Sequence, residues 1–322
     1  MPRLSICIPT YCQIDFLRET LSSVKAQDFN DYELIVSDDS PDDAVKELVE
    51  SFDFDGRLHY HRNPVPLGSP ENWNEAVRRA KGDYIKLLHH DDRLDHSGVL
   101  SAFVRLLDEH PEANFAFCAS RVEDVIGREN RIHRLSEDQL KQIYRMPETL
   151  FFGNVIGAPS ATIYRNGLGI EYDQSMRWLV DIDFYIRILQ QSPSFAYTPE
   201  ALIITPTNAA HQVTEICKSN AAIEIFEYIL LYQKVAPKLL CDPNTRFVWF
   251  RLFEKYGIYS LKDFKPLGVK LPSAESILAP FLMAYHRERL KRTPYRIYAC
   301  LPKSLKLAIR YLLRRRLLRN LS

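Results

Sequence analysis

An α/β fold, in which short strands lead alternately into helices, is what the first hundred residues of this chain predict. Three observations carry that prediction. β-Branched and aliphatic runs recur at residues 4–9, 32–36 and 84–88, helical apolar spacing fills the intervals, and the last two runs end in paired acidic residues. The alternation implies a parallel, doubly wound sheet, whose ligands sit outside the carboxyl ends of the strands.

The elements follow in order. Residues 4–9 read as the first strand, leading into Thr10 and Tyr11. A helical pattern runs from Phe16 to about Gln27, with Asp15 placed to cap it. Residues 32–38 form the second strand and 58–62 a short third. Ser69 and Pro70 mark a helix start, with Pro at the first helical position and the helix continuing from Glu71 to Ala80. Residues 84–88 read as strand, 97–110 as helix and 115–118 as strand again. Farther along, residues 215–235, 244–256 and 273–286 read as helices separated by Pro-containing turns.

The stretch Tyr84-Ile85-Lys86-Leu87-Leu88-His89-His90-Asp91-Asp92 delivers two adjacent carboxylates to a strand end. They cannot pair with each other, and an oxygen-rich site favours Mg²⁺ or Mn²⁺, whereas zinc prefers nitrogen and sulfur. Val36-Ser37-Asp38-Asp39-Ser40 repeats the geometry upstream. The competing reading is a solvated turn, because Asp is common in turns and at N-caps. Strand alternation predicts that one of His89 and His90 points into the packing, which makes them weak ligand candidates.

Together with Ile8-Pro9-Thr10-Tyr11, these segments resemble the family 2 inverting glycosyltransferases of the GT-A fold, in order and spacing as well as in residues. That fold is the Rossmann-like one of the nucleotide-diphospho-sugar transferases. The resemblance implies a donor-binding and catalytic domain over residues 1–205; beyond it no motif is assigned, and the helical patterns make 206–322 a helical C-terminal region expected to help form the acceptor site. The resemblance also implies that Pro9, Thr10 and Tyr11 shape the nucleotide-base pocket, that Asp39 accepts hydrogen bonds from base or ribose, and that Asp92 binds the metal. Asp38 and Asp91 either contact the donor or hold their strand-end loops, and Asp91 is included in the nucleotide-sugar set. The segment from Arg62 to Asn74 is similar to the family's stretch beneath the donor. There Gly68 would let the backbone approach closely, and Asn72 would bond a loop or a sugar hydroxyl.

Asp181, in Arg177-Trp178-Leu179-Val180-Asp181-Ile182-Asp183, resembles the acidic motif that opens a helix beneath the acceptor, although Val180 stands where the family often has Glu. Inverting transfer needs a carboxylate to take the acceptor hydroxyl's proton while that oxygen attacks the anomeric carbon opposite the diphosphate. Apolar neighbours would raise the basicity of Asp181. A plain helix cap is the other reading of this residue, and Asp183 is read as support for the helix terminus. His211 resembles the late histidine that some members bring to the metal or diphosphate. Gln174-Ser175-Met176-Arg177-Trp178 has the form of the Gln-x-x-Arg-Trp motif of processive synthases, but it precedes Asp181 instead of following the catalytic Asp. No apolar run approaches the ~20 residues of a bilayer span, so a processive polymerase is disfavoured.

Composition fits an enzyme: 322 residues, 46% hydrophobic, with a formal net charge of +1. The six cysteines show no C-x-x-C and no paired spacing, as expected of reduced, packed thiols, which argues against a zinc site. The chain opens almost directly on a strand with no signal-peptide pattern, which predicts a cytoplasmic protein. Charge is uneven. Residues 286–322 hold twelve Lys/Arg against Glu288 alone, and 305–318 interleave Leu, Ile and Tyr with cations at helical spacing. That pattern suits a helix lying on an anionic membrane surface, while a helix packed on its own domain is the other reading. With no recognised nucleic-acid motif, nucleic acid is not an expected partner.

The sequence therefore predicts a Mg²⁺- or Mn²⁺-dependent inverting glycosyltransferase. It would move a sugar from a UDP-, GDP- or dTDP-sugar to a glycan or lipid-linked acceptor in cell-surface polysaccharide synthesis, in the cytoplasm or peripherally at the membrane's cytoplasmic face. A dinucleotide oxidoreductase fits poorly, because Thr10-Tyr11-Cys12 stands where a G-x-G-x-x-G turn belongs. The alternative is a catalytically silent nucleotide-sugar or glycan-binding module.

Overall fold

The structure, a computed structural model, describes residues 1–124, 130–208, 217, 220–239, 242–269 and 275–300. His211 and the basic segment 303–322 lie outside the described residues. The chain divides into two compact units, Met1–Cys241 and Asp242–Ser322.

In the first unit, β1 (Leu4–Thr10), β2 (Tyr32–Asp38) and β4 (Tyr84–Leu87) are buried along their whole length. Strands covered on both faces need apolar residues at consecutive positions, which is why these runs do not alternate. Leu4, Ile6 and Ile8 of β1 join Tyr32, Leu34 and Val36 of β2 in one core with α1 (Ile14–Lys25), α2 (Ala44–Glu50) and α4 (Val99–Asp108). On the opposite face, Cys7 Sγ lies 3.5 Å from the Ala76 carbonyl of α3 (Glu71–Arg78). Farther along the same sheet, Phe115 and Tyr164 pack on Tyr185 and Phe184 of α6 (Val180–Gln191), with ring centroids 5.5 and 5.1 Å apart. Each such buried side chain contributes about 1.5–3 kcal/mol of transfer free energy.

The remaining strands are β3 (Leu58–Arg62), β5 (Arg93–Leu94), β6 (Phe115–Asp124), β7 (Asn130–His133), β8 (Thr162–Arg165) and β9 (Phe195–Thr207). Their order is β3-β2-β1-β4-β8-β6-β9-β5, with β7 paired to β6. The expected parallel pairing runs through β3-β2-β1-β4 and recurs between β6 and β9, but not between these two groups. β8 runs antiparallel to both β4 and β6, so the sheet is mixed. Antiparallel pairing needs no crossover helix, and nothing in the short run Thr162-Ile163-Tyr164-Arg165 announces its direction. β6 also outruns its expected end at Cys118, because Ala119 to Asp124 pair with β9 and, in part, with β7 after a register shift.

Several local expectations change. α1 starts at Ile14 behind Gln13, which is left-handed and makes no side-chain cap, so Asp15 sits in the first turn and acts on the helix dipole. Pro70 precedes α3 as its cap residue, one position before the first helical residue. Gly68 has φ +73° and open space around it, so backbone conformation selects glycine there, not close approach. Close approach occurs at Gly82 instead, where a Cβ would lie 2.7 Å from the Ser5 nitrogen.

The register explains Pro9. β1 pairs with β4 only as far as Cys7, yet with β2 as far as Thr10. Cys7 offers its carbonyl to the β4 side, so Pro9, two residues on, turns its missing N–H to a side where pairing has ended. β1 and β4 diverge there, and a crevice opens.

α5 (Glu137–Arg145) and α7 (Ala221–Leu239) complete the first unit. The second unit holds α8 (Pro243–Tyr256), which matches the helix expected over 244–256, and α9 (Glu275–Cys300), which runs fourteen residues past its expected end at 286. Trp249 packs on Phe281 and Phe253 on Tyr285, each pair 5.7 Å apart. Among the described residues, no helix is long and apolar enough to cross a membrane.

Candidate active site

A cavity of about 1030 Å³ opens at the carboxyl ends of β1, β2 and β4 and is closed farther on by β6, β9 and the start of α6. Pro9, Thr10, Tyr11, Asp39, Asn72, Asp91, Asp92 and Asp181 all line it. Residues scattered over more than 170 positions thus face one space, because three parallel strands end at the same sheet edge. Tyr11 is 55% exposed, and Thr10 carries a buried Oγ1 with no protein partner.

Asp39 is already engaged by its own chain. Oδ1 accepts from Asn63 Nδ2 at 2.7 Å and from the Leu67 amide at 3.1 Å, while Oδ2 accepts from the Gly68 amide at 2.7 Å. Each oxygen keeps spare acceptor capacity, and the bonds made hold the loop ahead of α3 against the strand end. Asn72 is likewise committed: Nδ2 donates to the carbonyls of Thr10 and Ser37, and Oδ1 accepts from Asn63. Asp38 accepts from the Ser40 amide and the Tyr60 hydroxyl, which makes it a brace for the loop.

The His89-His90-Asp91-Asp92 turn is pinned from beneath. Thr20 Oγ1 of α1 lies 2.8 Å from the carbonyl oxygens of both His90 and Asp92, and Ser160 Oγ accepts from the His89 amide at 2.9 Å. Because β4 ends at Leu87, alternation no longer governs the next residues, and both histidines line the cavity, contrary to expectation. One donor atom from each of His89, Asp91 and Asp92 falls within 4.8 Å of the others. Asp92 is 1% exposed, and its Oδ1 has no hydrogen-bond partner, nor does His89 Nε2. Orphaned buried acceptors beside a second carboxylate fit a divalent cation, and two carboxylates with one imidazole suit Mg²⁺ or Mn²⁺. Burial, with Asp91 alongside, pushes the Asp92 carboxyl well above the usual carboxylate range; burial pushes His89 down to about 4, leaving its imidazole neutral. Lys86 lies below, bonded to the Ser160 and Thr162 carbonyls and 4.3 Å over the Phe103 ring.

Across the cavity, Asp181 occupies the first turn of α6. Oδ1 accepts from the Ile182 amide at 2.8 Å and Oδ2 from Asn154 Nδ2 at 2.6 Å. Burial pushes its carboxyl up to about 7, against the pull of those donors, so it changes protonation state near neutrality. Asp183 turns away and is consumed by Arg187 and Lys234, at 2.7 and 2.6 Å.

Residues 5–168 match glycosyl transferase family 2. The chain belongs to that family. It is 28% identical over 256 residues to an uncharacterized protein of Mycobacterium tuberculosis, covering 75% of this chain and 77% of the relative. It is 33% identical over 131 residues to the GalNAc(5)-diNAcBac-PP-undecaprenol beta-1,3-glucosyltransferase of Campylobacter jejuni, covering 40% of this chain and 42% of the relative. S. aureus TarS 1-349 in complex with UDP-GlcNAc aligns with a TM-score of 0.58 at 17% identity, covering 93% of this chain and 84% of TarS 1-349. The Pyrobaculum calidifontis mannosyltransferase PcManGT, in complex with GDP-Man and Mn²⁺, aligns with a TM-score of 0.54 at 15% identity, over 90% and 87% of the two chains. These likenesses establish the GT-A fold.

The family match ends at residue 168, so Asp181 and the start of α6 lie beyond it, while β6 and Asn154 lie within it. Sequence reasoning missed Trp73, His133 and Asn154, which line the cavity, and Ser160, which holds the His89 amide from beneath; each is brought in by tertiary packing. Trp73 packs against the His89 ring, tilted 47° to it with centroids 4.6 Å apart, and His133 Nε2 lies 2.7 Å from the Val155 carbonyl. Arg177 and Trp178, set aside with the Gln-x-x-Arg-Trp match, also line the cavity.

Proposed function

We propose that this family 2 glycosyltransferase inverts configuration at a sugar's anomeric carbon in a cation-dependent transfer from a nucleotide-sugar to a hydroxyl acceptor. The observation that carries the reading is one cavity with an acidic, partly unpartnered cluster on one wall and a basic-poised carboxylate on the other. His89, Asp91 and Asp92 would hold Mg²⁺ or Mn²⁺, which when bound supplies positive charge against the departing diphosphate. His211, outside the described residues, is a further candidate ligand for the metal or diphosphate. Thr10 and Tyr11 border the space for the base, and Asp39 holds the loop that closes it while keeping acceptor capacity for base or ribose. Asp181 takes the acceptor hydroxyl's proton as the oxygen attacks, and Asn154 keeps its carboxylate turned to the cavity.

Donor complexes of fold neighbours, UDP-GlcNAc on TarS and GDP-Man on PcManGT, support a nucleoside-diphosphate sugar. The C. jejuni relative's name supports a lipid-linked glycan acceptor and cell-surface glycan synthesis. Donor binding is assigned to residues 1–205. The cations of 305–318 are assigned to an anionic membrane surface. The deciding experiment is a panel of UDP-, GDP- and dTDP-sugars with Mn²⁺ or Mg²⁺, scored by thermal shift and then by release of nucleoside diphosphate. Product anomers read by NMR test inversion. A donor that binds without turnover on any acceptor would mark a silent binding module.

A further inference from the structure

The buried acid that shapes the Asp181 wall is not in the cavity. Glu227, on α7, is 2% exposed and has no cation within 4 Å among the described residues. Its oxygens instead accept three backbone amides: Arg177 at 2.8 Å, Trp178 at 2.9 Å and Leu179 at 2.8 Å. These are the residues immediately before α6, whose cap residue Leu179 offers no side chain to the first turn. Burying a carboxylate costs several kcal/mol unless donors converge on it, and here three do.

The same helix face holds the other side of the segment. Glu227, Lys234 and Lys238 are spaced by seven and four residues, two turns and one, and so lie along one stripe of α7. Lys234 Nζ bonds both Asp173 and Asp183 at 2.6 Å, and Lys238 meets Glu148 at 2.9 Å. Asp181 is therefore bracketed. Two residues before it the backbone is gripped by Glu227, and two residues after it Asp183 is gripped by Lys234.

We propose that Glu227 is a positioning residue for the transfer reaction, fixing the backbone of Arg177, Trp178 and Leu179 so that Asp181 and Trp178 present to the acceptor side of the cavity. The inference rests on the reading of Asp181 as the base. Asp181 is faced by Asn154, by Tyr172, by Tyr185 of α6 and by Glu227 of α7, with Arg177 and Asp183 its charged neighbours in the chain. Of the acids, Asp183 is neutralised by Arg187 and Lys234, whereas the Glu227 charge adds to burial in raising the Asp181 carboxyl. Geometry and charge therefore have separable signatures.

The test compares wild type with Glu227→Gln, Glu227→Asp and Asp181→Asn in the full chain. It measures turnover, donor KM and the Asp181 carboxyl titration by ¹³C NMR, assigned through Asp181→Asn. Glu227→Gln should lower kcat about tenfold or more at unchanged donor KM, the scale expected of a misplaced catalytic group, and should move the Asp181 midpoint down. Glu227→Asp, one methylene shorter but still charged, should lower kcat and leave the midpoint near wild type. It also covers the case in which Glu227→Gln does not fold. Wild-type kcat and midpoint in the Glu227 variants, with Asp181→Asn inactive, overturn the inference and leave the base assignment standing. Normal turnover in Asp181→Asn overturns the base assignment itself, while the midpoint still reports on the clamp.

Discussion

Asn154 donates from Nδ2 to the Asp181 carboxylate at 2.6 Å and closes its own loop on Gly157, accepting from the Gly157 amide and donating to its carbonyl. Burial raises the Asp181 carboxyl to about 7, and the Asn154 bond opposes that rise. A base must be ionised to act, so kcat should fall as pH drops through about 7, with the dependence of a single proton. Asn154→Ala removes a bond to the charged form and should move that acidic limb to higher pH. A limb that stays at wild-type pH in this variant would remove Asn154 from the base's surroundings.

Asp181→Asn should retain nucleoside-diphosphate binding and lose turnover by roughly 10²-fold or more, the usual scale for a general base. Single-turnover assays beside nucleotide titrations separate the two effects. Asp183 is not an available substitute, because Arg187 and Lys234 already hold it.

Asp92→Asn should weaken UDP or GDP binding in Mn²⁺ by at least about tenfold while far-UV circular dichroism stays unchanged. Loss of outer-shell partners alone costs 10–100-fold in metal affinity, and Asp92 is read as a direct ligand. Equal affinities with and without Mn²⁺ in the wild type would remove the metal from the reading.

Asp39→Ala leaves the Leu67 and Gly68 amides without their acceptor and should cost about 1–3 kcal/mol, read as a lower Tm. Asp39→Asn keeps one acceptor. If Tm then holds while nucleotide affinity drops, base or ribose recognition is the residue's second task.

Removing residues 303–322 should release the protein from anionic liposomes and spare transfer to a soluble acceptor analogue. Each cation near an anionic surface contributes about 1 kcal/mol, and the truncation deletes seven Lys/Arg. Cosedimentation of full-length and truncated protein to the same extent would count against a membrane role.

The amino-acid order alone makes β1 to β4, the helices packed on them and the acidic strand ends legible. Each of these rests on local pattern: an uninterrupted apolar run means two covered faces, and a strand's end fixes where its next residues emerge. It also determined that Asp181 opens a helix. The remaining features depend on the assembled fold. The antiparallel entry of β8 and the extension of β6 to Asp124 depend on which edges meet, which no short segment encodes. His89 joins the acidic cluster because β4 stops at Leu87, ending the alternation that would have turned one of the two histidines into the packing. Asn154 and Glu227 lie 27 and 46 residues from Asp181, and their distance along the chain hides them. A hydrogen bond depends on separation in space and on burial, and both are properties of the assembled fold.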